Sequence, residues 1–169
     1  MRRDLIGSHP QSPIQDPDAR ASFEGPWYFE HDPAARVTAE LEDAEPERVV
    51  AEGSADGRFE MTRVGRARFE LYGEPGALGL YWIEGYGGGL FVSFRDATSG
   101  KETYGAGRYL LDTVKAADLG LEDGRLVLDF NYAYNPSCSY DPAWACPLAP
   151  PENRLAVAVR AGERLRPEG

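Results

Sequence analysis

"RFEMTRVGRARFELYGEPGALGLYWIE", residues 58–84, decides the fold. Apolar and polar residues alternate in short runs, and turn-forming residues part the runs. Arg58–Val64, Arg66–Tyr72 and Ala77–Glu84 read as three strands, with turns expected at Gly65 and at Glu74-Pro75-Gly76. Alternation of this kind marks strands with one buried and one solvated face, which is the antiparallel pattern.

The same pattern extends outward. Upstream, Trp27–Glu30, Arg36–Leu41 and Arg48–Gly53 read as strands; downstream, so do Gly89–Phe94, Thr103–Leu111, Arg125–Tyr132 and Arg154–Arg160. Turn signals lie at Asp56-Gly57, at residues 85–88, at Ser99-Gly100 and at Asp123-Gly124. Val114–Leu119 reads as one helical turn. About ten strands at this spacing predict an all-β, antiparallel barrel or sandwich. Residues 1–26 are rich in Pro, Asp and Ser. They are expected to form an arm, with a short helix near Asp4–Gly7, that packs on a β domain of residues 27–169. The whole chain, 1–169, is read as one domain. Gly85-Tyr86-Gly87-Gly88-Gly89 has the glycines of a phosphate loop, but a strand follows it where such a loop needs a helix N-terminus.

Charge narrows the function classes. The 169 residues carry 28 acidic and 18 basic side chains, a net charge of -10. That opposes non-specific association with nucleic acid or anionic membrane. Arg2 and Arg3 mimic the start of a signal sequence, but no apolar stretch follows, and no run of about 18 apolar residues exists. A soluble, cytoplasmic protein is expected.

"NYAYNPSCSYDPAWACPLAPPEN", residues 131–153, holds both cysteines in a long ordered loop near the C-terminus. Seven residues separate Cys138 from Cys146, which is too wide for the usual zinc pairing, and only His9 and His31 remain to complete a site. No metal and no cofactor is expected. Two packed thiols are the first reading and a disulfide across the loop the second. In Arg125–Asn135, alternation puts Leu126, Leu128, Phe130, Tyr132 and Tyr134 on one face. In Thr103–Leu111, Tyr104, Ala106 and Arg108 oppose Gly105, Gly107 and Tyr109, and the small face suits a close neighbouring strand or bulge. Asp96 and Thr98 have the chemistry to close a turn through their own side chains. Arg108 offers a planar fork for an anion, or a partner for Asp96 inside the fold.

"FRDATSGKETYGAGRYL" (94–110), "LDFNYAYNPSCSYDPAWACPLAPPENRL" (128–155), the "AGE" after them and "WYFEHDPAARV" (27–37) together resemble the bacterial and archaeal domain-of-unknown-function 1684 family. By position, the resemblance marks Asp96, Thr98, Gly100, Thr103, Tyr104, Gly107, Arg108 and Tyr109. It also marks Asp129, Phe130, Asn131, Tyr134, Asn135, Pro136, Cys138, Tyr140, Cys146, Pro147, Glu152, Asn153, Gly162 and Glu163. Glu30 and Ser93 depart from it, each standing where relatives often carry proline. The resemblance implies a family and no activity.

Three readings of function follow. The first is a β domain that binds a small molecule, a polar or anionic metabolite. Its candidate site residues are Asp96, Thr98, Tyr104, Arg108, Asn131, Tyr134, Asn135, Tyr140 and Asn153, and the loop supplies Tyr134, Tyr140 and Trp144 as walls. The second is a hydrolase or metal-assisted enzyme that uses Asp96, Asp129, Glu152 or Glu163 as base or metal ligands, with Tyr104 or Cys138 as a further participant. The third is a structural or interaction protein without a ligand.

Overall fold

A computed structural model describes residues 2–84 and 89–167; the glycine-rich connection expected at residues 85–88 lies outside the described residues. Two short helices open the chain, α1 (Arg2–Gly7) and α2 (Pro17–Ala21). The second starts on Asp16, whose side chain accepts from the Asp18 N–H, with Pro17 as its first residue. The strands are β1 (Trp27–Tyr28), β2 (Arg36–Glu52), β3 (Arg58–Leu71), β4 (Glu74–Ile83), β5 (Leu90–Phe94), β6 (Arg108–Asp112), β7 (Leu121–Glu122), β8 (Arg125–Asp129) and β9 (Glu163–Arg164). Seven of them form one sheet in the order β6-β5-β4-β3-β2-β8-β7, and β1 pairs with β9 in a second. Every ladder between these strands is antiparallel. Of the two architectures expected, the sandwich-like arrangement is the one observed. The large sheet stays open, with β6 and β7 at its edges.

The hairpin of the opening stretch forms by a different route from the one its turn residues suggest. Gly65 makes no turn: β3 runs straight through it, and the ladder to β4 only shifts register between Arg63 and Gly65. The chain reverses instead at Tyr72-Gly73. Both residues have positive φ, 55° and 79°, and Leu71 pairs directly with Glu74. A two-residue turn with left-handed torsions matches the twist of its flanking strands, so Pro75 and Gly76 are left inside β4. Upstream, Arg36–Leu41 and Arg48–Gly53 merge into β2, whose pairing with β3 shifts between Asp43 and Glu47. Pro46 sits in that irregularity, the place in a strand where a missing N–H costs least.

Other expected strands are shorter or absent. β1 covers only Trp27–Tyr28 of the Trp27–Glu30 run. Of Thr103–Leu111, only Arg108 onward is strand, because Asp96 to Gly107 is a tight loop tied by its own side chains. Gly107, at φ 102°, lies so near β5 that a Cβ there would meet the Phe94 carbonyl at 2.6 Å. β8 stops at Asp129, whose carboxylate accepts from the Asn131 N–H and caps a 3-10 turn over Phe130–Tyr132. The alternation predicted to Asn135 therefore ends at Asp129: Phe130 is buried and Tyr132 is 67% exposed. Val114–Leu119 contributes only the end of a 3-10 turn at Thr113–Lys115. Arg154–Arg160 joins no ladder. Its backbone bonds go to a loop and to side chains: Leu155 N–H to the Arg95 carbonyl at 2.8 Å, and Val159 N–H to Asp96 Oδ2 at 2.8 Å.

Two apolar clusters result. The larger gathers Phe69, Leu78, Phe94, Leu128, Phe130 and Val159 among others; Phe94 and Phe130 meet edge to face at 5.2 Å. The smaller contains Met61, Tyr81, Ile83, Phe91, Tyr109 and Tyr134. It lies beneath the long loop, so the cavity described next opens against it.

Candidate functional site

The polar residues marked in the sequence fall into three places. The first is a buried network around Arg108, whose surface is only 1% exposed. Its Nη1 donates to the Ala161 and Glu163 carbonyls at 2.5 and 3.0 Å, and its Nη2 donates to the Val159 carbonyl at 2.8 Å and to Asp96 Oδ2 at 3.2 Å. Asp96 Oδ1 accepts from Thr98 Oγ1 at 2.6 Å, and Thr98 in turn meets Thr103 Oγ1 at 2.8 Å. The guanidinium also lies 5.1 Å from the Phe94 ring. The fork therefore reads the backbone of residues 159–163, which runs outside any ladder until it enters β9 at Glu163. Burial pulls the Arg108 pKa below its ordinary value, against the Asp96 carboxylate, which raises it.

The second place consists of amides that replace missing strand partners. Asn153 Oδ1 accepts from the Gly79 N–H at 2.7 Å, while its Nδ2 donates to the Gly79 and Ser93 carbonyls at 3.1 and 2.9 Å. Asn131 exchanges bonds with the backbone of Asp32, Oδ1 accepting at 2.9 Å and Nδ2 donating at 2.8 Å.

The third place is a cavity of about 670 Å³ between α1, the loop of residues 131–153 and the smaller apolar cluster. Phe59, Ile83, Phe91 and Tyr109 form its floor, and Ile6, Tyr134, Tyr140 and Trp144 cover it. Asn135 stands in its wall. The residue is buried, and its Oδ1 has no hydrogen-bond partner among the described residues. Asp112 lies nearby, accepting from Tyr134 Oη at 3.2 Å and facing Lys115 Nζ at 3.6 Å.

The cover is fastened at several points. Glu163, with no exposed surface, accepts from Arg2 Nε, from Arg2 Nη2 at 3.2 Å, from the Asn135 N–H at 2.7 Å and from Tyr140 Oη at 2.9 Å. Tyr28 Oη joins at 3.3 Å; burial and that carboxylate push its pKa up to about 12. Arg2 also stacks on the Tyr134 ring at 4.6 Å. Trp144 Nε1 donates to the Pro13 carbonyl at 2.6 Å, and Ser54 Oγ ties both the Trp144 carbonyl and the Cys146 N–H. Arg2 carries no signal in the sequence, because a terminal arginine looks like any solvated charge. Phe59 and Phe91 read there only as strand residues, and Asp112 lies just past the expected strand Thr103–Leu111.

The thiols meet at the edge of this cavity. Both are buried and unbridged. The Cys138 N–H donates to Cys146 Sγ at 3.4 Å, and Tyr104 Oη donates to Cys138 Sγ at 3.6 Å. The hydrogen bond from Cys146 brings the Cys138 thiol down to about 6, and the same contact pushes Cys146 up. A depressed acid stabilises the fold above its unfolded pKa, near 9.0, and loses that contribution as the pH falls through about 6. Melting curves between pH 6 and 8 are expected to rise more steeply with pH for the wild type than for Cys138→Ala.

The fold and site define an open antiparallel β domain with a covered, aromatic cavity. The model of the "Protein of unknown function (DUF1684)" family matches residues 21–164, and the chain belongs to that family. It is similar to an uncharacterized protein of Haloarcula marismortui solved by solution NMR: identity is 38%, the match covers 96% of this chain and 87% of that one, and the TM-score is 0.68. No curated protein matches the chain. Among the described residues, no helix is long and apolar enough to cross a membrane.

Proposed function

We propose that the protein binds a small organic molecule in the cavity between the N-terminal arm and the 131–153 loop. The volume, about 670 Å³, suits a metabolite-sized ligand, and aromatic walls with few polar groups are the usual lining of such sites. The observation that carries the reading is Asn135 Oδ1, a buried acceptor in the wall without a partner among the described residues. A ligand hydroxyl or N–H would supply it. Arg108 is spent on internal acceptors, and the cations in the wall, Arg2 and Lys115, each face a carboxylate of the chain. That balance favours a neutral, ring-bearing molecule with a hydrogen-bond donor over a free anion. The hydrolase reading needs carboxylates that converge on one cavity. Asp96 instead holds Arg108, Asp129 holds Asn131, Glu152 holds Tyr81 and Glu163 holds Arg2.

Asn135→Leu tests the proposal, because the side chain changes while the backbone bonds to Glu163 and Arg2 remain. In a thermal-shift screen of neutral ring compounds, sugars and organic anions, a neutral donor-bearing compound is expected to raise the melting temperature. Asn135→Leu is expected to weaken its binding by about tenfold or more while still folding. A shift that survives this variant places the ligand elsewhere. No shift from any compound favours the structural reading.

A further inference from the structure

We infer that Cys138 and Cys146 form a dithiol site that a low-molecular-weight disulfide oxidises reversibly to an intrachain disulfide. Thiols that merely fill space need no donors. This pair has the Cys138 N–H on Cys146 Sγ at 3.4 Å and the Tyr104 hydroxyl on Cys138 Sγ at 3.6 Å. The loop between them is short, and both of its ends are held. Ser137–Ser139 is a 3-10 turn, and Cys146 is tied by its N–H and carbonyl to Ser54 at 2.9 and 3.0 Å. The two residues are almost equally buried, but Cys146 is among the residues that line the cavity and Cys138 is not.

That asymmetry assigns the roles. A small disulfide R–S–S–R reaches Cys146 from the cavity. The Cys138 thiolate, as general base, takes the Cys146 proton while the Cys146 sulfur attacks R–S–S–R, forming a mixed disulfide and releasing RS⁻. RS⁻ takes the proton back from Cys138. The Cys138 thiolate then attacks the Cys146 sulfur and expels the second RS⁻. In sum, one dithiol, counted as a thiol and a thiolate, gives one protein disulfide, while R–S–S–R takes two electrons and leaves as RSH and RS⁻. Tyr104, whose pKa burial and Cys138 push up to about 12, stays protonated and steadies the resolving thiolate. The inference uses the wall of the cavity beside Cys146 and not the identity of its ligand, so it stands or falls apart from the binding proposal.

The test uses the reduced full chain and oxidised glutathione, with acid quenching, alkylation and intact mass. The wild type is expected to lose both alkylatable thiols together, with no lasting glutathione adduct, and to regain both in excess reduced glutathione. At alkaline pH, Cys138→Ser is expected to hold glutathione on Cys146. Cys146→Ser is expected to react at least about tenfold more slowly than Cys138→Ser, its remaining thiol being off the cavity wall. Two persistent free thiols in the wild type under excess oxidised glutathione would overturn the inference without reference to any variant. So would stable glutathionylation of the wild type, or a Cys146→Ser protein that reacts as fast as Cys138→Ser.

Discussion

Arg108→Leu is expected to cost about 3–5 kcal/mol, the range for removing one partner of a buried ion pair. The loss has two parts. Asp96 keeps its bonds from Thr98, Ser99 and the Val159 N–H but loses its cation. The carbonyls of Val159, Ala161 and Glu163 lose a donor where little water can replace it. Arg108→Lys is expected to recover less than half of the loss, since one ammonium cannot span the positions that the planar fork reaches. Urea denaturation measures both. A loss under about 1 kcal/mol for Arg108→Leu, together with failed ligand binding, would instead make Arg108 a ligand contact.

Glu163→Leu is expected to cost about 2–4 kcal/mol and to release the N-terminal arm. The carboxylate gathers donors from three parts of the chain: Arg2 in α1, Tyr28 in β1, and the loop through Asn135 and Tyr140. Without it, the Asn135 N–H and the Tyr140 hydroxyl lose an acceptor inside the protein. Arg2, 27% exposed, can turn to water in that variant, whereas Arg2→Leu leaves the buried Glu163 carboxylate without its cation and is expected to cost about 3–5 kcal/mol. Hydrogen exchange in residues 2–13 is the second readout. Faster exchange there in Glu163→Leu, with the large sheet still protected, is the expected pattern. Unchanged protection of the arm would show that Trp144 and the apolar contacts of Ile6 hold it without the carboxylate.

Much of the strand content was legible because it rests on local alternation. β3, β4, β5 and β8 start within a few residues of where the pattern puts them, and Asp123-Gly124 turns as its composition suggests. Errors gathered where two local signals compete. Gly65 and Glu74-Pro75-Gly76 both look like turns, but the ladder between β3 and β4 is long enough to absorb a bulge and a proline. Arg154–Arg160 alternates like a strand, yet its backbone finds its partners in Arg95, Asp96 and Arg108. Nothing within that segment foretells this. The candidate residues were legible as a set and not as a site. Tyr134, Asn135, Tyr140 and Cys146 line one cavity, whereas Asp96, Thr98, Arg108, Asn131 and Asn153 are spent on partners elsewhere in the fold and Tyr104 on Cys138.

The sequence by itself therefore determined an antiparallel β protein, a long cysteine-bearing loop and the family, because alternation, turn chemistry and motif spacing are local properties read within a few residues. The tertiary structure alone decided which polar side chains are consumed and which face a cavity. That is a matter of partners distant in the chain: Arg2 with Glu163, Arg108 with Val159 and Ala161, and Asn153 with Gly79. A buried polar group takes its meaning from whichever acceptor or donor the fold brings to it, and residues so far apart declare that pairing only once they are packed together.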